Sequence, residues 1–151
     1  MANSPRVESK TIHQKIEFAI SEPVIGSNCR FFVGYSFEEM KKIIDERKHP
    51  KADGLEDEWE HSDGFCITIK NVENLPSHAV WLKHFDWDVH SLGVLSHEVV
   101  HLVMHVFKNA NIPVRIENDE VFAYMQEFYF TKALEKLNKI HGNKTTSDSI
   151  E

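Results

Sequence analysis

The sequence predicts an α+β domain: a small, mainly antiparallel sheet packed on helices, with the chain's chemistry on the two longest helices. Three observations lead there. Period-two alternation runs through Gly64–Lys70, where Phe65, Ile67 and Ile69 are set against Cys66 and Thr68. Helical apolar periodicity extends from Leu92 to Phe107 and returns from Phe122 to Ala133. Polar punctuation separates these segments, and 151 residues with 41% hydrophobic and 27% charged side chains suffice for one core without disulfides or a structural metal.

Each element can be justified in turn. Residues 1–10 are polar and read as a flexible arm, and residues 11–141 as one domain. Thr11–Ile20 alternates over its second half and is expected as a half-buried strand. Glu22-Pro23 and Gly26-Ser27-Asn28 mark a turn. The apolar run Cys29–Tyr35 is too short for a helix and reads as a strand or buried connector. Ser36 is placed to cap a helix that carries Glu38 and Glu39 in its first turn, shows Met40, Ile43 and Ile44 on one face, and ends near Lys48 before Pro50. Lys51–Asp63 is a polar, acidic stretch around Trp59, read as a solvated surface loop with a lid as the alternative. Asn71–Ser77 reads as a loop, and Ala79–Phe85 as another strand. Asp88 or Ser91 caps the next helix, which ends between Lys108 and Asn111. After the connector Val114–Glu117, Asn118 is placed to cap a last, mostly buried helix, with Asp119 and Glu120 in its first turn, Phe122, Met125, Tyr129 and Lys132 on one side, and Val121, Tyr124, Phe128 and Ala133 widening the apolar stripe. Gly142 is expected to end that helix, leaving residues 142–151 as a disordered tail.

Composition narrows the function. A net charge of −7 without a basic stripe argues against nucleic acid as a partner. The first residues lack the apolar core of a signal peptide and no run approaches the ~20 apolar residues of a membrane span, so a cytoplasmic protein without a membrane partner is expected. Cys29 and Cys66 lie far apart in apolar runs without CxxC spacing, and read as reduced, buried thiols.

The chemistry concentrates in His97-Glu98-Val99-Val100-His101. Positions four apart on a helix project from one face about 6 Å apart, so the two imidazoles can reach one metal ion while Glu98 stands beside them as a proton acceptor. Amphipathic core helices also carry paired histidines, so the five-residue motif needs support from the rest of the chain. A catalytic zinc usually has three protein ligands. His105 lies about 12 Å along the axis from His97 and is expected to be a packed histidine, or one that supports a metal ligand from behind, instead. Glu120 is the better third ligand: eighteen residues separate it from His101, enough to finish one helix, turn and start another. Asp119 is its competitor, turned about 100° away around the helix. An oxyanion formed beside the metal would need a donor. Tyr124, one turn after Glu120, and His90, two turns before His97, are candidates, each with a plain packing role as the alternative.

The run His97–His101, eighteen residues, then Glu120-Val121-Phe122-Ala123 resembles the HExxH-x18-E pattern of gluzincin metallopeptidases, the zincin branch that contains thermolysin and the aminopeptidase-N-like enzymes. By size the chain is similar to minimal single-domain zincin-like proteins of bacteria and phages. The resemblance implies a zinc ion on His97, His101 and Glu120, with Glu98 as general base in hydrolysis of a peptide or protein substrate. It also implies that a strand beside the motif helix, here Val80–Phe85, holds an extended substrate by backbone pairing. The chain departs from thermolysin-like enzymes at Tyr124, where they place an aspartate that supports a zinc histidine. Two other readings stand beside the zinc-dependent metallopeptidase: a non-catalytic zinc-binding interaction module, and a metal-dependent hydrolase of a non-peptide amide or ester.

Overall fold

The alternating segments pair into a four-stranded sheet. A computed structural model describes residues 14–46, 61–70 and 76–147. The expected arm at 1–10, most of the acidic stretch, the loop at 71–75 and the last four residues lie outside the described residues. The strands are β1 (Ile16–Ser21), β2 (Asn28–Val33), β3 (Gly64–Lys70) and β4 (Pro76–Leu82). The helices are α1 (Phe37–Glu46), α2 (Val89–Asn109) and α3 (Asp119–Ser147). The strand order is β1-β2-β4-β3. β1 with β2 and β3 with β4 are antiparallel, with Ile16 opposite Val33 and Phe65 opposite Trp81; β2 with β4 is parallel, with Phe31 opposite Val80. The sheet is therefore mixed, and the described residues form an α+β arrangement with three α-helices.

Alternation sorts the side chains to two faces. Cys29, Phe31, Val33, Val80 and Leu82 bury against Leu95, Val99, Leu102 and Val103 of α2 and Met125, Tyr129, Ala133 and Leu137 of α3. Phe32, Ile67, Ile69, Ala79 and Trp81 face the other way, against Phe37, Met40 and Ile44 of α1. Helices thus cover both faces. Each fully buried Leu, Val or Phe contributes about 1.5–3 kcal/mol, so the two clusters clamp the sheet between α1 and the α2–α3 pair.

Local chemistry sets the ends of these elements. The buried carboxylate of Glu22 accepts hydrogen bonds from the amides of Val24 (2.6 Å) and Ile25 (2.7 Å), fixing the turn between β1 and β2. β2 ends at Gly34, whose φ of 74° suits glycine and whose amide donates to the Leu82 carbonyl at 3.0 Å. Of the two cap candidates of α2, Asp88 is the N-cap, accepting from the Ser91 amide at 2.8 Å; Ser91 lies inside the helix, and its hydroxyl accepts from the Asp86 amide at 3.0 Å. Its far end closes with Asn111 at φ 55°, the Asn111 amide on the Lys108 carbonyl (3.2 Å) and the Ile112 amide on the Phe107 carbonyl (2.8 Å).

Four expectations need correction. The first described strand begins at Ile16, and β4 runs from Pro76 to Leu82, earlier than the expected Ala79–Phe85. Asn118 spends its side chain on the connector, accepting from the Arg115 amide (2.9 Å) and donating to the Pro113 carbonyl (2.6 Å). Gly142 does not stop α3, which continues to Ser147, because the glycine does not take the left-handed conformation that ends a helix. No helix among the described residues is long and apolar enough to cross a membrane.

Candidate functional site

α2 is held on one side and open on the other. Leu95, Val99, Leu102, Val103, Val106 and Phe107 are buried, whereas His97 and His101 stand on the exposed face. Their Nε2 atoms are 3.1 Å apart and their rings meet edge-on at 4.7 Å. Two zinc–nitrogen bonds of ~2.0–2.1 Å at a tetrahedral angle span about 3.3 Å, so the pair fits two positions of one ion.

Glu98 is aimed differently, into the junction of α2 and β3, where it is 5% exposed. A Cβ at Gly64 would stand 3.0 Å from Glu98 Cγ and 2.9 Å from Val94 Cγ1, so the start of β3 admits this carboxyl because residue 64 has no side chain. Burial pushes the Glu98 pKa up to about 7, where a general base is most effective. His97 and Glu98 share the wall of a cleft of about 440 Å³ that is also lined by Asp63, Gly64, Val89, His90, Gly93 and Val94.

The remaining predicted residues are dispersed. His90 lies in the same cleft with its Nε2 3.1 Å from the Asp63 carboxylate, a partner that the sequence analysis did not assign to it. Tyr124 is 48% exposed on α3, stacks loosely on Phe128 at 6.3 Å and does not line the cleft. Glu120 and Asp119 are exposed in the first turn of α3. Phe107 meets Phe122 at 5.6 Å, so that turn stands beside the far end of α2, and His101 lies six residues, about 9 Å, back along the axis. Among the described residues no group of three or more histidine, cysteine or acidic side chains is assembled that could hold an ion. The structure therefore pairs His97 with His101 and sets His97 and Glu98 in the wall of one cleft, and it assembles neither Glu98 nor Glu120 with the two imidazoles into a three-residue group.

Behind this face lies a polar cluster that sequence reasoning met only in part. His105 Nδ1 is 3.8 Å from Cys66 Sγ, the His105 and His78 rings are 6.4 Å apart, and His78 Nδ1 is 3.4 Å from Thr68 Oγ1. His105 is half-buried, in keeping with the packed role expected for it. Burial drives the His78 pKa down to about 4, with His105 adding to the effect, and burial followed by the charge of Glu98 pushes the Cys66 thiol up. Both are held neutral. Cys29 and Cys66 are free thiols.

Comparison of the chain with protein-family models, with curated proteins and with solved structures returns no match. The functional reading therefore rests on the residues themselves.

Proposed function

We propose that the protein is a zinc-dependent peptidase in which His97 and His101 hold the ion, Glu98 is the general base and Glu120 is the third ligand. The observation that carries this reading is the 3.1 Å approach of the two imidazoles, one of which, His97, shares the wall of a cleft with the buried Glu98 carboxyl, whose pKa is near 7. When bound, zinc supplies a Lewis acid for the carbonyl and a nucleophile at neutral pH. Glu98 takes up a proton at its carboxylate and delivers it to the leaving amine. His90, whose Nε2–H donates to the Asp63 carboxylate, would donate from Nδ1 to the developing oxyanion in its imidazolium form. Glu120 reaches the ion only if the first turn of α3 shifts toward His101, so metal loading and the seating of α3 are coupled in this proposal.

Backbone pairing with substrate needs a strand with a free edge. β4 is bonded on both sides, to β2 and β3, so the expected Val80–Phe85 segment cannot serve. Among the described strands β3 is the edge beside the cleft, and an extended substrate would pair with it.

Elemental analysis of wild type beside His97→Ala, Glu120→Ala and Asp119→Ala tests the ligand set. The proposal expects about one zinc per chain, lost in His97→Ala and weakened at least tenfold in affinity in Glu120→Ala. No metal after reconstitution would sink the zinc assignment. Full retention in Glu120→Ala would remove that residue from the set, and loss in Asp119→Ala would install its neighbour.

A further inference from the structure

Two glycines line the cleft, and they differ in what the fold asks of them. Gly64 is demanded by packing, since a Cβ there would press on Val94, Glu98 and, at 3.2 Å, Leu82 Cδ2. Gly93 is not: a Cβ added there meets nothing within 4 Å. Gly93 nevertheless sits inside α2, at its fifth residue, where glycine costs about 1 kcal/mol relative to alanine. Its missing side chain leaves bare helix backbone open to the cleft, one turn before His97.

The lining around it is apolar in the middle and polar at the ends. Val89, which is 87% exposed, and Val94 flank Gly93. The Asp63–His90 pair bridges the start of β3 to α2 on the side away from His97, and Glu98 marks the other end. The four residues from Gly93 to His97 rise about 6 Å along the helix, close to the span of two residues of extended peptide. A volume of about 440 Å³ falls in the lower part of the ~300–1,000 Å³ range of ligand pockets.

We propose that this stretch of the cleft is a subsite for an apolar side chain of the substrate next to the reacting bond, and that Gly93 sets the size of side chain it takes. The proposal rests on the peptidase reading for its placement beside a reacting bond, while occupancy of the cleft is measurable without turnover.

The probes are N-acetyl-leucinamide and N-acetyl-aspartamide, titrated onto the full-length protein and followed by amide chemical shifts. Leucinamide should shift Gly64, Val89, Gly93 and Val94 and bind about tenfold more tightly than aspartamide. Gly93→Leu fills the cleft with its own side chain and should weaken leucinamide about tenfold. Gly93→Ala, which meets no neighbour, should raise Tm by a few degrees through helix propensity while weakening leucinamide by a smaller factor. Equal binding of the two amides, shifts centred elsewhere, or leucinamide binding untouched by Gly93→Leu would overturn the subsite. Cleavage of a proteome-derived peptide library is scored in parallel. Cleavage without leucinamide binding overturns the subsite and spares the peptidase reading; leucinamide binding lost in Gly93→Leu, with no cleavage, does the reverse.

Discussion

Glu98 and His78 show how single buried groups tie this domain to pH. Glu98 has a folded pKa raised to about 7, so between its ordinary range near 4.5 and 7 the folded protein holds a proton that the unfolded chain has released. Metal-free protein therefore loses stability as pH rises through that window, by on the order of 3 kcal/mol in full. His78 acts in the opposite sense. Its folded pKa is lowered to about 4, so its contribution is complete above the ordinary value near 6.5 and is lost as pH falls toward 4. The two slopes oppose each other. Glu98→Gln removes one of them: thermal melts of the metal-free variant should show stability that only rises with pH between 4 and 7, with a gain over wild type at pH 8. The same substitution should leave metal content unchanged and lower turnover by about 10²–10⁴-fold. A wild-type-like pH profile of stability in Glu98→Gln would show that the carboxyl is not held as described. At this scale the sequence made His97, His101 and Glu98 legible, because helical spacing alone brings them to one region of α2. It could not reveal the Asp63–His90 pair or the clearance that Gly64 gives Glu98, since both join segments related only through the sheet. An isolated glycine within a helical pattern was a visible signal at Gly93, but its meaning needed the cleft.

The element that organises the rest is α2, fixed by its buried face and capped at both ends. Leu102→Ala should cost about 2–5 kcal/mol in chemical denaturation, as for other leucines removed from a filled core, and a loss under 1 kcal/mol would contradict the packing. Element boundaries were legible where local chemistry was strong: β3 spans the expected Gly64–Lys70, and α2 ends at Asn109 inside the expected window. They were less so where tertiary contacts decide. The apolar stripe expected for α3 is narrower than its composition, for Val121 and Tyr124 are largely exposed while Met125, Tyr129, Ala133 and Leu137 carry the burial. The parallel pairing of β2 with β4 also escaped the sequence, because alternation reports which face a residue takes and not which strand lies next to it.

Across the whole molecule, β2 and β4 contribute to both clusters, so the two sides of the sheet should unfold together. Variants that keep a single tryptophan, Trp81 against α1 or Trp87 near the start of α2, should give the same thermal midpoint by fluorescence, and midpoints several degrees apart would show two independent units. The Ser27 hydroxyl meets the Tyr129 hydroxyl across 102 positions of sequence, and the same core joins Ile16 to Leu137. That arrangement has a consequence during synthesis. Translation at about 5–20 residues per second leaves roughly 2–8 s between the making of Val99 and of Leu137. α2 therefore leaves the ribosome before α3, and a ribosome that stalls with α2 emerged and α3 still inside it would present an uncovered apolar surface to chaperones.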